Sequence, residues 1–141
     1  MRVVIDTNIF VSSFFGGNPK TIIDLWRNGS LTLCFSKGII DEYVRVLARM
    51  GLEKARELEE ILALFARGFN SVFTAKTPQL HIIKRDPDDN KFLECAVALE
   101  AQFIISGDKD ITDILSYMRI QCVTPNEFLK KFKEIEGENN L

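Results

Sequence analysis

Four short segments of the 141-residue chain concentrate carboxylates where chemistry could use them. Asp6-Thr7-Asn8 follows a short β-branched run. Asp41 and Glu42 lie in a segment with helical spacing. Asp86-Pro87-Asp88-Asp89-Asn90 precedes another helical pattern, and Gly107-Asp108-Lys109-Asp110 follows an apolar run ending at Ser106. Clustered carboxylates repel one another, and burying them unpaired is costly. A stable cluster of these acids therefore implies a cation. Oxygen ligands without His or Cys suit Mg²⁺ or Mn²⁺ rather than zinc. His81 is the only histidine. Its place between Leu80 and Ile82 predicts an edge-strand or core residue rather than a base. With no usable His there is no Ser-His or Cys-His pair, and metal-activated water is the remaining route to hydrolysis. Taken singly, each acid also fits a turn, a helix cap or a solvent-facing helix position. Their joint placement points to a site.

The elements that must position these acids alternate. Strands are predicted at Arg2 to Ile5, Leu31 to Phe35, Phe103 to Ser106 and Ile120 to Val123, with short extended segments at Ser71 to Thr74 and Leu80 to Ile83. Helices are predicted from Asn18-Pro19 to Arg27, from a Ser36 cap to Gly51, from Glu53 to Arg67, from Asp89 to Leu99 and over Ile111 to Tyr117. A last helix opens with Thr124-Pro125-Asn126-Glu127, a capping box with proline at the first helical position. Strands alternating with helices predict an α/β fold, three layers deep, with a central parallel sheet of four to five strands. In such sheets ligands bind beyond the carboxyl ends of the strands. Asp6, the Asp86–Asn90 segment and Asp108 fall at that edge by topology alone, and Glu42 reaches it if its helix packs there.

Length and composition predict one domain over residues 1–135 with a polar tail over 136–141. Net charge is −2, which excludes a strongly basic coat for nucleic acid. No apolar run approaches a membrane span of ~20 residues. The first residues reach a charge too soon for a signal peptide. Three cysteines, Cys34, Cys95 and Cys122, form no CxxC pair, so neither a disulfide framework nor a zinc site is expected, and the chain reads as reduced and cytoplasmic. Phe supplies 11 residues and has no polar group to satisfy, so most are expected in the core.

Four segments together resemble the PIN-domain family, the Mg²⁺- or Mn²⁺-dependent ribonuclease fold of type II toxin–antitoxin loci, and its stand-alone toxin-like branch in particular. They are VVIDTNIFVSSFF, SKGIIDEYVRVL, RDPDDNKFLECAVAL and FIISGDKDI, in family order. The resemblance covers Met1 to about Phe132. It implies that Asp6, Glu42 and Asp108 are the first, second and fourth catalytic acids. The third lies in Asp86 to Asn90, where Asp89 best suits the first turn of a helix and Asp88 is the alternative. Asn8 and Ser106 match supporting polar positions, and Asp110 an extra acid.

The resemblance implies that Asp6, Asp89 and Asp108, with Asp88 as the alternative ligand, hold one or two Mg²⁺ or Mn²⁺ ions. Glu42 is shared or acts through water, and RNA is cut by an activated water. It also implies a homodimer and a small antitoxin partner that blocks the acidic site. Setting aside four metal-binding acids turns the net charge from −2 to +2. The candidate phosphate contacts are Arg45, Arg49, Lys91 and Lys109, with Lys20, Lys84 and Arg85 beside them. A rival reading, a phosphatase of the haloacid-dehalogenase type, requires a second acid two residues after Asp6, where this chain has Asn8. A second rival is an RNA- or protein-binding domain that cuts nothing.

Overall fold

The computed structural model describes residues 1–139. Its strands are β1 (Arg2–Ile5), β2 (Thr32–Ser36), β3 (Ser71–Thr74), β4 (Phe103–Ile105), β5 (Ser116–Tyr117) and β6 (Ile120–Val123). Its α-helices are α1 (Thr7–Ser12), α2 (Gly17–Arg27), α3 (Lys37–Arg49), α4 (Arg56–Ala66), α5 (Asn90–Ala98), α6 (Lys109–Thr112) and α7 (Pro125–Asn139). One sheet joins the strands in the order β3-β2-β1-β4-β6-β5. All neighbours are parallel except the β5–β6 hairpin.

The chain is thus an α/β sandwich with helices flanking a mostly parallel sheet. The burial of β1 shows why. Successive strand residues face opposite sides, yet Val3, Val4 and Ile5 are all buried, so both faces of the sheet are covered. Strand order reverses at β1, whose neighbours are β2 on one side and β4 on the other. That reversal opens a crevice beyond the carboxyl ends of β1 and β4.

Local chemistry sets several helix boundaries. Ser36 caps α3 by accepting the Ile39 N–H at 3.3 Å. Gly51 follows that helix at φ +73°, a conformation that glycine adopts without a Cβ clash. Thr124 accepts the Glu127 N–H at 3.2 Å and donates its hydroxyl to the Glu127 carboxylate at 2.9 Å. The core holds a chain of aromatic rings, with Phe10 stacked on Tyr43 at 4.1 Å and Phe35 against Phe65 at 4.6 Å. Trp26 is fully buried, and its indole N–H donates to the Asn70 carbonyl at 3.2 Å. Phe15 and Phe73 are the exposed exceptions among the phenylalanines.

Several sequence expectations shift. Residues Thr7–Ser12 form a helix that was not expected, because Thr7, Ile9 and Val11 are β-branched and favour strands. Burial of Ile9, Phe10 and Val11 overrides that preference. Leu80 to Ile83 pairs with no strand. Its backbone N–H groups bond to side chains on α5 instead: Leu80 to Glu94 at 2.8 Å, and Ile82 and Ile83 to Asn90 at 3.2 and 2.9 Å. His81 is therefore exposed in a loop, neither core nor edge strand. The expected helix over Ile111 to Tyr117 is one turn, α6, followed by the short β5. The hairpin turn at Met118 and Arg119, both at positive φ, reverses the chain there. The sheet accordingly has six strands. The last helix continues through Asn139, past the expected start of the tail at Glu136, while positions 140–141 lie outside the described residues. Among the described residues no helix is long and apolar enough to cross a membrane.

Candidate active site

Two adjacent parallel strands bring the first and last acids together. Ile5 of β1 lies opposite Ile105 of β4, so the residues that follow them are neighbours. Asp6 is buried and serves as the N-cap of α1, one carboxylate oxygen accepting the Ile9 N–H at 3.0 Å. Its other oxygen accepts the Ser106 hydroxyl. Ser106 is wholly buried, and its oxygen also accepts the Asp108 N–H at 2.9 Å. One serine thus sets the spacing between both acids. Burial pushes the Asp6 carboxyl above its ordinary range, the Ser106 and Ile9 bonds oppose that rise, and the nearby Asp108 charge adds to it. Asp108 in turn caps α6, accepting the Asp110 N–H at 2.9 Å.

The third wall is the turn Pro87–Asp89, a single 3-10 turn leading into α5. Asn90 holds it in place. This buried amide donates to the Ile83 and Pro87 carbonyls, each at 2.9 Å, while its oxygen takes the two N–H bonds from Ile82 and Ile83. The turn so fixed separates its two candidate acids. Asp88 is largely exposed and pairs with Lys91 at 2.9 Å, which holds its carboxyl below the usual range. Asp89 lines the acidic cleft, and its Oδ2 is buried without a hydrogen-bond partner. Burial, with the neighbouring Asp108, Asp86 and Asp6 carboxyls, pushes Asp89 up to about 7. Asp89, Asp108 and Asp110 each offer an oxygen, all within 4.8 Å of one another.

The fourth wall is α3. Tyr43 is buried, and its hydroxyl donates to the Ile5 carbonyl, which ties α3 to the end of β1 beside Asp6. That contact brings Glu42 to the cleft, which has a volume of about 180 Å³ and is also lined by Thr7, Asn8, Val46, Asp86 and Phe92. Both Glu42 oxygens are engaged. Oε2 accepts the Thr7 hydroxyl, and Oε1 accepts Lys91 Nζ at 2.8 Å with Arg45 at 3.7 Å.

The structure thus gathers Asp6, Asn8, Glu42, Asp89, Asp108 and Asp110 at one edge, with Ser106 beneath them and Asp88 on the rim. The expected phosphate contacts divide. Arg45 and Lys91 sit beside Glu42, whereas Arg49, Lys84 and Lys109 are exposed. Arg85 approaches Asp110 at 3.9 Å, and Lys20 pairs with Asp24 on α2 at 2.9 Å. Sequence reasoning assigned no role to Thr7, Asn90 or the Tyr43 hydroxyl. A signal for Asn90 was available: an amide at an apolar, helix-facing position must find partners when buried. No comparable signal marked the Tyr43 bond, because its partner is a backbone carbonyl 38 residues away.

The donor set fits a hard divalent cation. Asp89, Asp108 and Asp110 offer converging carboxylate oxygens and one Asp89 oxygen is buried without a partner, whereas the expected ligands Asp6 and Asp88 stand outside that group. Like charges held this close raise each other's proton affinity, and a cation would relieve that repulsion.

The sequence profile of the PIN domain matches residues 2–110. The chain is 31% identical to the uncharacterized protein MJ1680 of Methanocaldococcus jannaschii, over 95% of this chain and 93% of the relative. Its fold is similar to that in the crystal structure of VapBC2 from Rickettsia felis bound to a DNA fragment from their promoter. That match has a TM-score of 0.51 and 13% identity, over 86% of this chain and 98% of that one. By the match over most of its length, this chain belongs to the PIN-domain family.

Proposed function

We propose that the protein is a Mg²⁺- or Mn²⁺-dependent endoribonuclease that hydrolyses RNA phosphodiester bonds. The observation that carries this reading is the buried, unpartnered Asp89 oxygen beside Asp108 and Asp110. Asp89, Asp108 and Asp110 would hold the ion, with Asp6 alongside. A divalent cation bound there supplies acidity for the attacking water and neutralises charge on the phosphate.

The chain's own residues supply the rest. Ser106 and the Ile9 N–H orient the Asp6 carboxylate and stabilise its charge. Ser106 also fixes the Asp108 backbone, so the two acids keep one spacing. Thr7 and Lys91 hold Glu42 at the cleft wall. Asn8 lines the cleft as a neutral polar contact. Arg45 and Lys91 stand beside Glu42, Arg49 and Lys109 are exposed, and any phosphate binding through the free ones of these cations would weaken with salt. The family resemblance supports a cytoplasmic homodimer and a small antitoxin that covers the acidic cleft.

The test is cleavage of a pool of structured and unstructured RNAs with Mg²⁺ or Mn²⁺ and with EDTA, for the wild type beside Asp6→Asn. Metal-dependent cutting by the wild type, abolished in a folded Asp6→Asn, is the expected result. Metal-independent cutting, or full activity in the variant, would refute the assignment. Metal binding without cleavage of any RNA in the pool would favour a binding role instead.

A further inference from the structure

The acids at the cleft fall into two groups with different partners. In the first, Asp89, Asp108 and Asp110 present converging oxygens. In the second, Glu42 from α3 and Asp88 from the turn before α5 converge on a single point, and that point is Lys91 Nζ, at 2.8 and 2.9 Å. Two carboxylates brought from separate elements onto one position is the arrangement a second metal ion would need.

We propose that Lys91 is a resident cation in the position of a second metal ion, so that the chain binds one divalent ion. The inference rests on the metal-dependent reading above. Three features support it. The Lys91 side chain is only 17% exposed, so its charge sits among the acids rather than in bulk water. The remaining Glu42 oxygen accepts the Thr7 hydroxyl, so both of its oxygens already have partners within the protein. Glu42 and Asp88 also stand outside the one group of converging metal-ligand atoms found among the described residues. Glu42 is then a positioning residue: it fixes the ammonium at the cleft wall.

A plain structural salt bridge between α3 and α5 would be formed by the same atoms, and metal stoichiometry separates the two roles. The full chain is stripped of metal and titrated with Mn²⁺ at pH 7.5, and free Mn²⁺ is read by electron paramagnetic resonance. Wild type and Lys91→Arg are expected to bind one equivalent. Lys91→Met is expected to bind two, and the double variant Glu42→Gln/Lys91→Met one again. Circular dichroism confirms folding, and Lys91→Gln replaces Lys91→Met if the latter does not fold. Two equivalents in the wild type, one in Lys91→Met, or two in the double variant would each overturn the proposal. A loss of thermal stability in Lys91→Met without a second equivalent identifies the structural salt bridge. No RNA is present, so a wild type that binds one Mn²⁺ yet cuts no RNA refutes the nuclease and leaves this inference standing.

Discussion

Removing the charge of Asp89 should stabilise the metal-free protein at alkaline pH while destroying its metal response. The Asp89 carboxyl rises from 3.8 to about 7 on folding, through burial, a hydrogen bond that its protonated form makes to the Asp108 side chain, and the neighbouring Asp86, Asp108 and Asp6 charges. At about 1.4 kcal/mol per pH unit, that difference corresponds to about 4 kcal/mol for a fully dehydrated group. Asp89 is only partly buried, and solvent screening reduces the figure to about 1–2 kcal/mol. The sign follows from linkage. The folded state binds the Asp89 proton more tightly than the unfolded state, so its contribution is fully present below pH 3.8 and lost as pH rises through about 7. Asp89→Asn removes that loss. In EDTA at pH 8 the variant should melt ~3–6 °C above wild type, at ~3 °C per kcal/mol for a chain of this size. At pH 4 the difference should nearly vanish. Mg²⁺ at ~100 times its dissociation constant should stabilise the wild type by ~2.7 kcal/mol and the variant much less. Differential scanning calorimetry across pH, with and without Mg²⁺, measures all three. A variant no more stable than wild type at pH 8 in EDTA, or equally stabilised at pH 4, would refute the account of a crowded, ion-demanding carboxyl.

Asn90→Ala removes a side chain that makes four hydrogen bonds and leaves the buried Ile83 backbone unpaired. It should cost about 2–4 kcal/mol and weaken Mn²⁺ binding because the Asp89 turn loses its anchor; chemical denaturation and Mn²⁺ titration check the two effects. Tyr43→Phe keeps the ring stacked on Phe10 but removes the donor to Ile5. A loss of about 1–2 kcal/mol is expected in urea unfolding, and an unchanged midpoint would show that the hydroxyl does not tie α3 to β1.

The alternation of elements was legible from residue pattern because it depends on local physics. A β-branched run marked β1, short apolar runs marked β2 and β6, and caps at Ser36 and Thr124 marked α3 and α7. The edge at which the acids gather followed from the topology of a parallel sheet, and Asp6 and Asp108 lie where that rule places them. The segment Asp86 to Asn90 was recognisable as acidic, and its place at a helix start favoured Asp89 with Asp88 as the alternative, but the sequence did not show how the two side chains part. They are adjacent in sequence and alike in chemistry, and only the turn held by Asn90 sends Asp89 into the cleft and Asp88 to the rim. The same holds for α1, where packing outweighed the strand preference of Thr7, Ile9 and Val11. It holds for Leu80 to Ile83, whose N–H groups found side chains on α5 in place of a strand. Lys91 reads in sequence as a candidate phosphate contact. Its position between Glu42 and Asp88 depends on a contact across 49 residues, which no local pattern encodes and which arises only when α3 and α5 pack together.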